Sequence, residues 1–109
     1  MAALSREAQV QQAQLTRRFI ASLPEKRAEL EASWKLVQAS RWSPESLAQL
    51  RHLAHKLAGS MGSYGLGELG ALALDLEVTL VSAASSREQH ALIEQRARNL
   101  LEALASAPQ

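Results

Sequence analysis

Ala54-His55-Lys56-Leu57-Ala58-Gly59-Ser60-Met61-Gly62-Ser63-Tyr64-Gly65 is the stretch on which the reading of this 109-residue chain turns. Leu47, Leu50, Ala54, Leu57 and Met61 follow one another at 3-4-3-4 spacing, the signature of one buried face of an α-helix. At about 100° per residue, His55 falls roughly 110° from the centre of that stripe, on the flank of the helix. Ala48, Arg51, Gly59 and Gly62 lie within about 40° of it on the same wheel. The imidazole therefore stands on a strip with little side-chain bulk beyond it. Each glycine in a helix interior costs ~1 kcal/mol relative to alanine. Two beside one histidine suggest that another surface comes close there, although glycines near a helix end, such as Gly62 and Gly65, also serve as caps.

Composition narrows the fold. Apolar residues make up 47% of the chain and aromatics 4%, so leucine and alanine carry the core. Three prolines and few β-branched residues favour helices. The length suits one domain. A formal charge of +1 offers no strong field for nucleic acid or lipid. Without cysteine there is no disulfide, thiolate nucleophile or cysteine metal site. No apolar run reaches the ~20 residues of a membrane span. Met1-Ala2-Ala3-Leu4-Ser5-Arg6-Glu7 lacks the apolar stretch of a signal peptide. The default expectation is a cytoplasmic monomer.

Five helices are expected, at about 5–22, 24–39, 44–62, 66–83 and 86–105. Ser5 suits an N-cap, and Ala8, Leu15 and Phe19 share a face that Gln11, Gln12 and Gln14 dilute. That first helix is expected to cover part or one end of a bundle. Leu23-Pro24 breaks or bends the chain, with the proline suited to the first turn of the next helix. Leu30, Trp34 and Val37 face inward from the second helix, whose charges face solvent. Ser43-Pro44-Glu45 starts the third, with Trp42 an anchor under the preceding loop. Leu69, Leu72, Ala73, Leu76 and Leu80 line the fourth; Ile93, Ala97, Leu100, Leu101 and Leu104 line the fifth. His90 stands alone on the fifth helix and is expected in solvent. Ser82-Ala83-Ala84-Ser85-Ser86 reads as a break, and the tail from Ala105 to Gln109 as a linker or a point where a longer chain was cut. Short connections make successive helices antiparallel. The expected fold is all-α: an antiparallel four-helix bundle with an additional N-terminal helix packed on it, in one domain over 1–109.

The quoted stretch resembles the signature of histidine-containing phosphotransfer (HPt) domains. That pattern is histidine, any residue, an apolar residue, lysine, glycine and a small residue, with a second glycine ten positions after the histidine. His55, Leu57, Gly59, Ser60 and Gly65 match it. The family's next pattern, Gly-x3-Leu-x2-Leu-Cys-x2-Leu-Glu, falls on Gly65, Leu69, Leu72, Ala73, Leu76 and Glu77, with alanine for the usual cysteine. One departure bears on chemistry: the family's lysine position is Ala58.

The resemblance implies that His55 is phosphorylated reversibly. A receiver-domain aspartate of a response regulator or hybrid sensor kinase would be the donor, and another receiver the acceptor. It places Mg2+ and the acidic pocket in the receiver and no cofactor or metal in this chain. It also makes Glu77 the partner that holds the second ring nitrogen; wheel geometry puts Glu77 on the flank of its helix but does not show that it is level with His55. Ala48, Arg51, His52, Gly59 and Gly62 would meet the partner. With Ala58 in place of lysine, Arg51 is the candidate cation for the phosphoryl group, and Lys56, about 100° round the helix, the weaker one. His52 reads first as a surface residue, and His52 with His55 falls short of the four ligands of a structural zinc site. No ATP-binding motif occurs, and Gly65-Leu66-Gly67 lacks the strand context of a dinucleotide site. Two other readings stand beside phosphotransfer: an adaptor of the same fold that docks a receiver without efficient transfer, and a purely structural helical bundle.

Overall fold

A computed structural model describes residues 5–81 and 87–107. They form α1 (Arg6–Ala21), α2 (Leu23–Ala39), α3 (Pro44–Ser63), α4 (Gly67–Val81) and α5 (Arg87–Ala105). No strand occurs among the described residues. The expected break over 82–86 and the last two residues of the tail lie outside them.

Local chemistry sets the helix ends. Ser5 Oγ accepts from the backbone N–H of Ala8 at 3.1 Å, and Ser43 Oγ from that of Ser46 at 3.2 Å, so both serine caps form as expected. Gly65 ends α3 at φ 75°. The Leu66 N–H reaches Met61 O at 2.8 Å and the Gly65 N–H reaches Gly62 O at 3.3 Å, a Schellman cap. The end of α2 uses the same two bonds, Trp42 N–H to Val37 O at 2.8 Å and Arg41 N–H to Gln38 O at 3.3 Å. Here no glycine supplies the left-handed turn: Arg41 (φ 54°) and Trp42 (φ 63°) adopt it themselves.

The core is the inside of a closed ring. α2 packs on α3, α3 on α4, α4 on α5, and α5 back on α2. Leu23, Leu30 and Val37 meet Leu50, Ala54 and Met61 from α3, Ala73 and Leu76 from α4, and Ile93, Ala97 and Leu100 from α5, all fully or almost fully buried. Each such leucine contributes about 1.5–3 kcal/mol of transfer free energy. Leu47, Leu72 and Leu101, expected inside, are only half-buried at the margin.

α1 joins the bundle by one end only. Phe19 is its one buried residue, stacked on Tyr64 with ring centroids 4.5 Å apart. Leu15 and Val10 are 46% and 51% exposed. The molecule is 52 Å long, close to two helices of 16 and 17 residues laid end to end at about 1.5 Å per residue. α1 thus caps one end of the bundle and runs on past it.

At the other end Trp42 is the expected anchor, and it corrects the reading of His90. The imidazole is not simply solvated: it lies flat on the indole of Trp42, centroids 3.8 Å apart and planes 4° apart. Trp34 meets Trp42 edge-on at 5.6 Å.

Candidate functional site

α3 and α4 approach each other closely enough to bring two polar flanks together. Gly70 of α4 is buried, and a Cβ placed there would lie 3.5 Å from Gly62 N, 3.6 Å from Ala58 O and 3.6 Å from Met61 Cβ. Small residues at this crossing let the backbones close. From Gly62, seven residues back along α3 lead to His55; from Gly70, seven residues on along α4 lead to Glu77. Seven residues are about two turns, so in antiparallel helices a contact at one pair recurs at the other.

His55 Nδ1 and Glu77 Oε2 are 2.7 Å apart. The imidazole is 69% exposed and the carboxylate 20%. A carboxylate only accepts, so the shared proton belongs to Nδ1–H, which donates to Glu77. In the neutral ring Nε2 then carries the lone pair, directed away from the seam. The arrangement yields an exposed nitrogen nucleophile on a ring of fixed tautomer.

Two hollows flank the ring. Arg51, His52, His55 and Glu77 line one of about 270 Å3, on the side toward the start of α3. His55, Lys56, Gly59, Ser60, Ser63 and Tyr64 line the other, about 570 Å3. Arg51 therefore borders the same hollow as His55, whereas Lys56 borders the second. Ala58 is half-buried against the core and brings no charge to either. A Cβ at Gly59 or Gly62 would meet nothing within 4 Å. Packing inside the chain does not require those glycines, and both leave the surface beside His55 open. Ala48 is exposed and lines, with Glu29, Ala32, Leu36, His52 and Leu53, an apolar groove of about 650 Å3 between α2 and α3.

Sequence reasoning missed two of these features. Gly70 was one of five glycines with nothing to distinguish it, although a glycine amid the core stripe of α4 carries its own helix cost and so a packing signal. The α2 wall of the groove was also missed, because Leu36 sits outside the Leu30–Trp34–Val37 stripe; it is 48% exposed. Among the described residues no three His, Cys, Asp or Glu side chains gather as a metal site, and no helix is long and apolar enough to cross a membrane.

Comparison with known proteins agrees with this geometry at the level of family. No curated protein and no solved structure matches the chain. The family model of the Hpt domain matches residues 14–107, which take in the whole bundle, the His55–Glu77 seam and the last turns of α1. With nearly its full length matched and the helical bundle in place, the chain belongs to the Hpt domain family, the phosphotransfer modules of phosphorelays.

Proposed function

We propose that this chain is a phosphorelay intermediate in which His55 takes a phosphoryl group from a receiver-domain aspartate and returns it to another. The observation that carries this reading is the exposed imidazole whose Nδ1 is held by Glu77 at 2.7 Å. Nε2 attacks phosphorus in line with the bond to the aspartyl oxygen. The P–O bond breaks with its electron pair going to the aspartate carboxylate, and the P–N bond forms from the Nε2 lone pair. No proton need move, because Nδ1–H already points to Glu77. The carboxylate offsets the positive charge that develops on the ring. Mg2+ and the acidic pocket belong to the receiver.

Arg51 supplies a cation at the hollow beside His55, in the role the family gives to the lysine replaced by Ala58. Gly59 and Gly62 leave room for the receiver, with Ala48 and His52 at its footprint. A hybrid sensor kinase and a response regulator are the partners this scheme needs. The replacement at Ala58 also motivates the adaptor reading, and one experiment separates the two. Incubation with a phosphorylated receiver, or with phosphoramidate as a small donor, is expected to leave an acid-labile, base-stable label on the wild type. His55→Gln is expected to carry none, with helicity and melting temperature unchanged, since an exposed flank residue adds little to the core. Receiver binding without label supports the adaptor. Neither binding nor label leaves the structural bundle.

A further inference from the structure

The hollow on the Arg51 side of His55 holds a second imidazole. Side chains on a helix lean toward its N-terminus, so His55 overlies the turn that carries Arg51 and His52. Residues three and four apart stand about 5–6 Å from each other at Cβ. His52 is exposed, lines the hollow with Arg51, His55 and Glu77, and also lines the apolar groove between α2 and α3. It therefore sits where the phosphoacceptor hollow meets the surface beside it. On the opposite side of His55 the half-buried Ala58 offers no cation, and the cation there, Lys56, borders the other hollow.

We propose that His52, in its protonated form, donates a hydrogen bond to the phosphoryl group carried on Nε2 of His55, so that the persistence of the phosphohistidine depends on pH through a second histidine. This rests on the phosphotransfer reading above. A phosphoryl group carries close to two negative charges and three acceptor oxygens at neutral pH, more than one guanidinium satisfies. The charged and titratable groups around His52 are these. Arg51, the His55 ring and, one turn on, Lys56 come from its own helix, Glu77 from α4 and Glu29 from α2, where it lines the groove with His52. Glu77 is engaged with His55. Imidazole is the side chain whose ordinary titration spans pH 5 to 8, so it adds a donor and a positive charge in acid and withdraws the charge in base.

The test reads phosphohistidine half-life after labelling with phosphoramidate, in wild type, His52→Ala and His52→Lys, across that range. The intrinsic acid lability of phosphohistidine and the titration of the phosphoryl group are common to all three, so ratios isolate His52. The half-life of wild type over His52→Ala is expected to be about two- to fivefold near pH 6, the size of an exposed ion pair, and to fall to about one above pH 8. His52→Lys is expected to keep the advantage at both ends, because an ammonium does not titrate there. A ratio of one in acid, or a ratio that does not change with pH, overturns the proposal while leaving phosphotransfer intact. A wild type that takes no label on His55 overturns both.

Discussion

His55 meets Glu77 at 2.7 Å through a register set two turns away, where Gly70 lies against the backbone of α3 at Gly62. The polar contact is thus a consequence of a packing contact. Replacing Gly70 by leucine is expected to wedge α4 away from α3 and cost about 1–3 kcal/mol, as overpacking does. The sharper outcome is at the imidazole. Nitrogen NMR of His55 is expected to show a mixed tautomer population, resembling that of Glu77→Ala, even though no residue of the pair has changed. A tautomer ratio identical to wild type in Gly70→Leu would show that the crossing does not control the pair.

Arg51→Ala addresses the charge on the phosphoryl group. Arg51 is exposed, so its contribution is that of a solvated, charge-assisted contact. Loss of it is expected to slow phosphotransfer, or shorten the phosphohistidine lifetime, by about threefold to tenfold. Lys56→Ala is expected to do less, because Lys56 borders the other hollow. Single-turnover transfer from a phosphorylated receiver measures both, and equal effects would contradict the placement of the two cations.

Gly59→Gln separates folding from docking. A Cβ at Gly59 meets nothing in the chain, and glutamine is the better helix former by up to about 1 kcal/mol. The melting temperature is expected to hold or rise, while receiver affinity and transfer rate fall because the new side chain stands beside the imidazole. Calorimetry and a binding titration on the same preparation give both numbers. A variant that binds as well as wild type would remove access as the reason for the glycine.

Arg41→Gly concerns the strained end of α2. Arg41 and Trp42 both hold positive φ, which costs a non-glycine residue about 1–2 kcal/mol, and glycine recovers part of it after its own entropy cost. A gain of about 0.5–1 kcal/mol in thermal or denaturant unfolding is expected, with transfer at His55 unchanged.

How much of this was legible in the sequence depends on the range of the interaction. Periodicity exposed the inward faces, because the stripes Leu50–Ala54–Leu57–Met61 and Ile93–Ala97–Leu100–Leu104 are local patterns that one helix must bury. Serine and proline exposed the starts of α1 and α3, since a cap is satisfied within a few residues. The flank position of His55 followed from the same wheel. That Glu77 lies level with it did not, because level is a property of two helices and is fixed by the distant pair Gly62 and Gly70. The fate of His90 was hidden for the same reason: its partner Trp42 is far away in sequence. The left-handed Arg41 was hidden for the opposite one, since the usual glycine signal for such a turn is missing.

The aromatic group at the end of the bundle has a practical side. Both tryptophans of the chain, Trp34 and Trp42, are in mutual contact there, and His90 covers the face of one of them. From Pro44, where α3 begins beside Trp42, to His55 is about 16 Å along the helix at 1.5 Å per residue. Intrinsic emission at long wavelength therefore watches one pole of the molecule and not the other. It will follow unfolding, and the seating of the loop between α2 and α3 on α5, yet stay nearly silent while His55 gains and loses its phosphoryl group. An optical assay of the relay needs a reporter bordering the imidazole, and Tyr64, which lines the second hollow with His55 and is stacked on Phe19, marks the position for it.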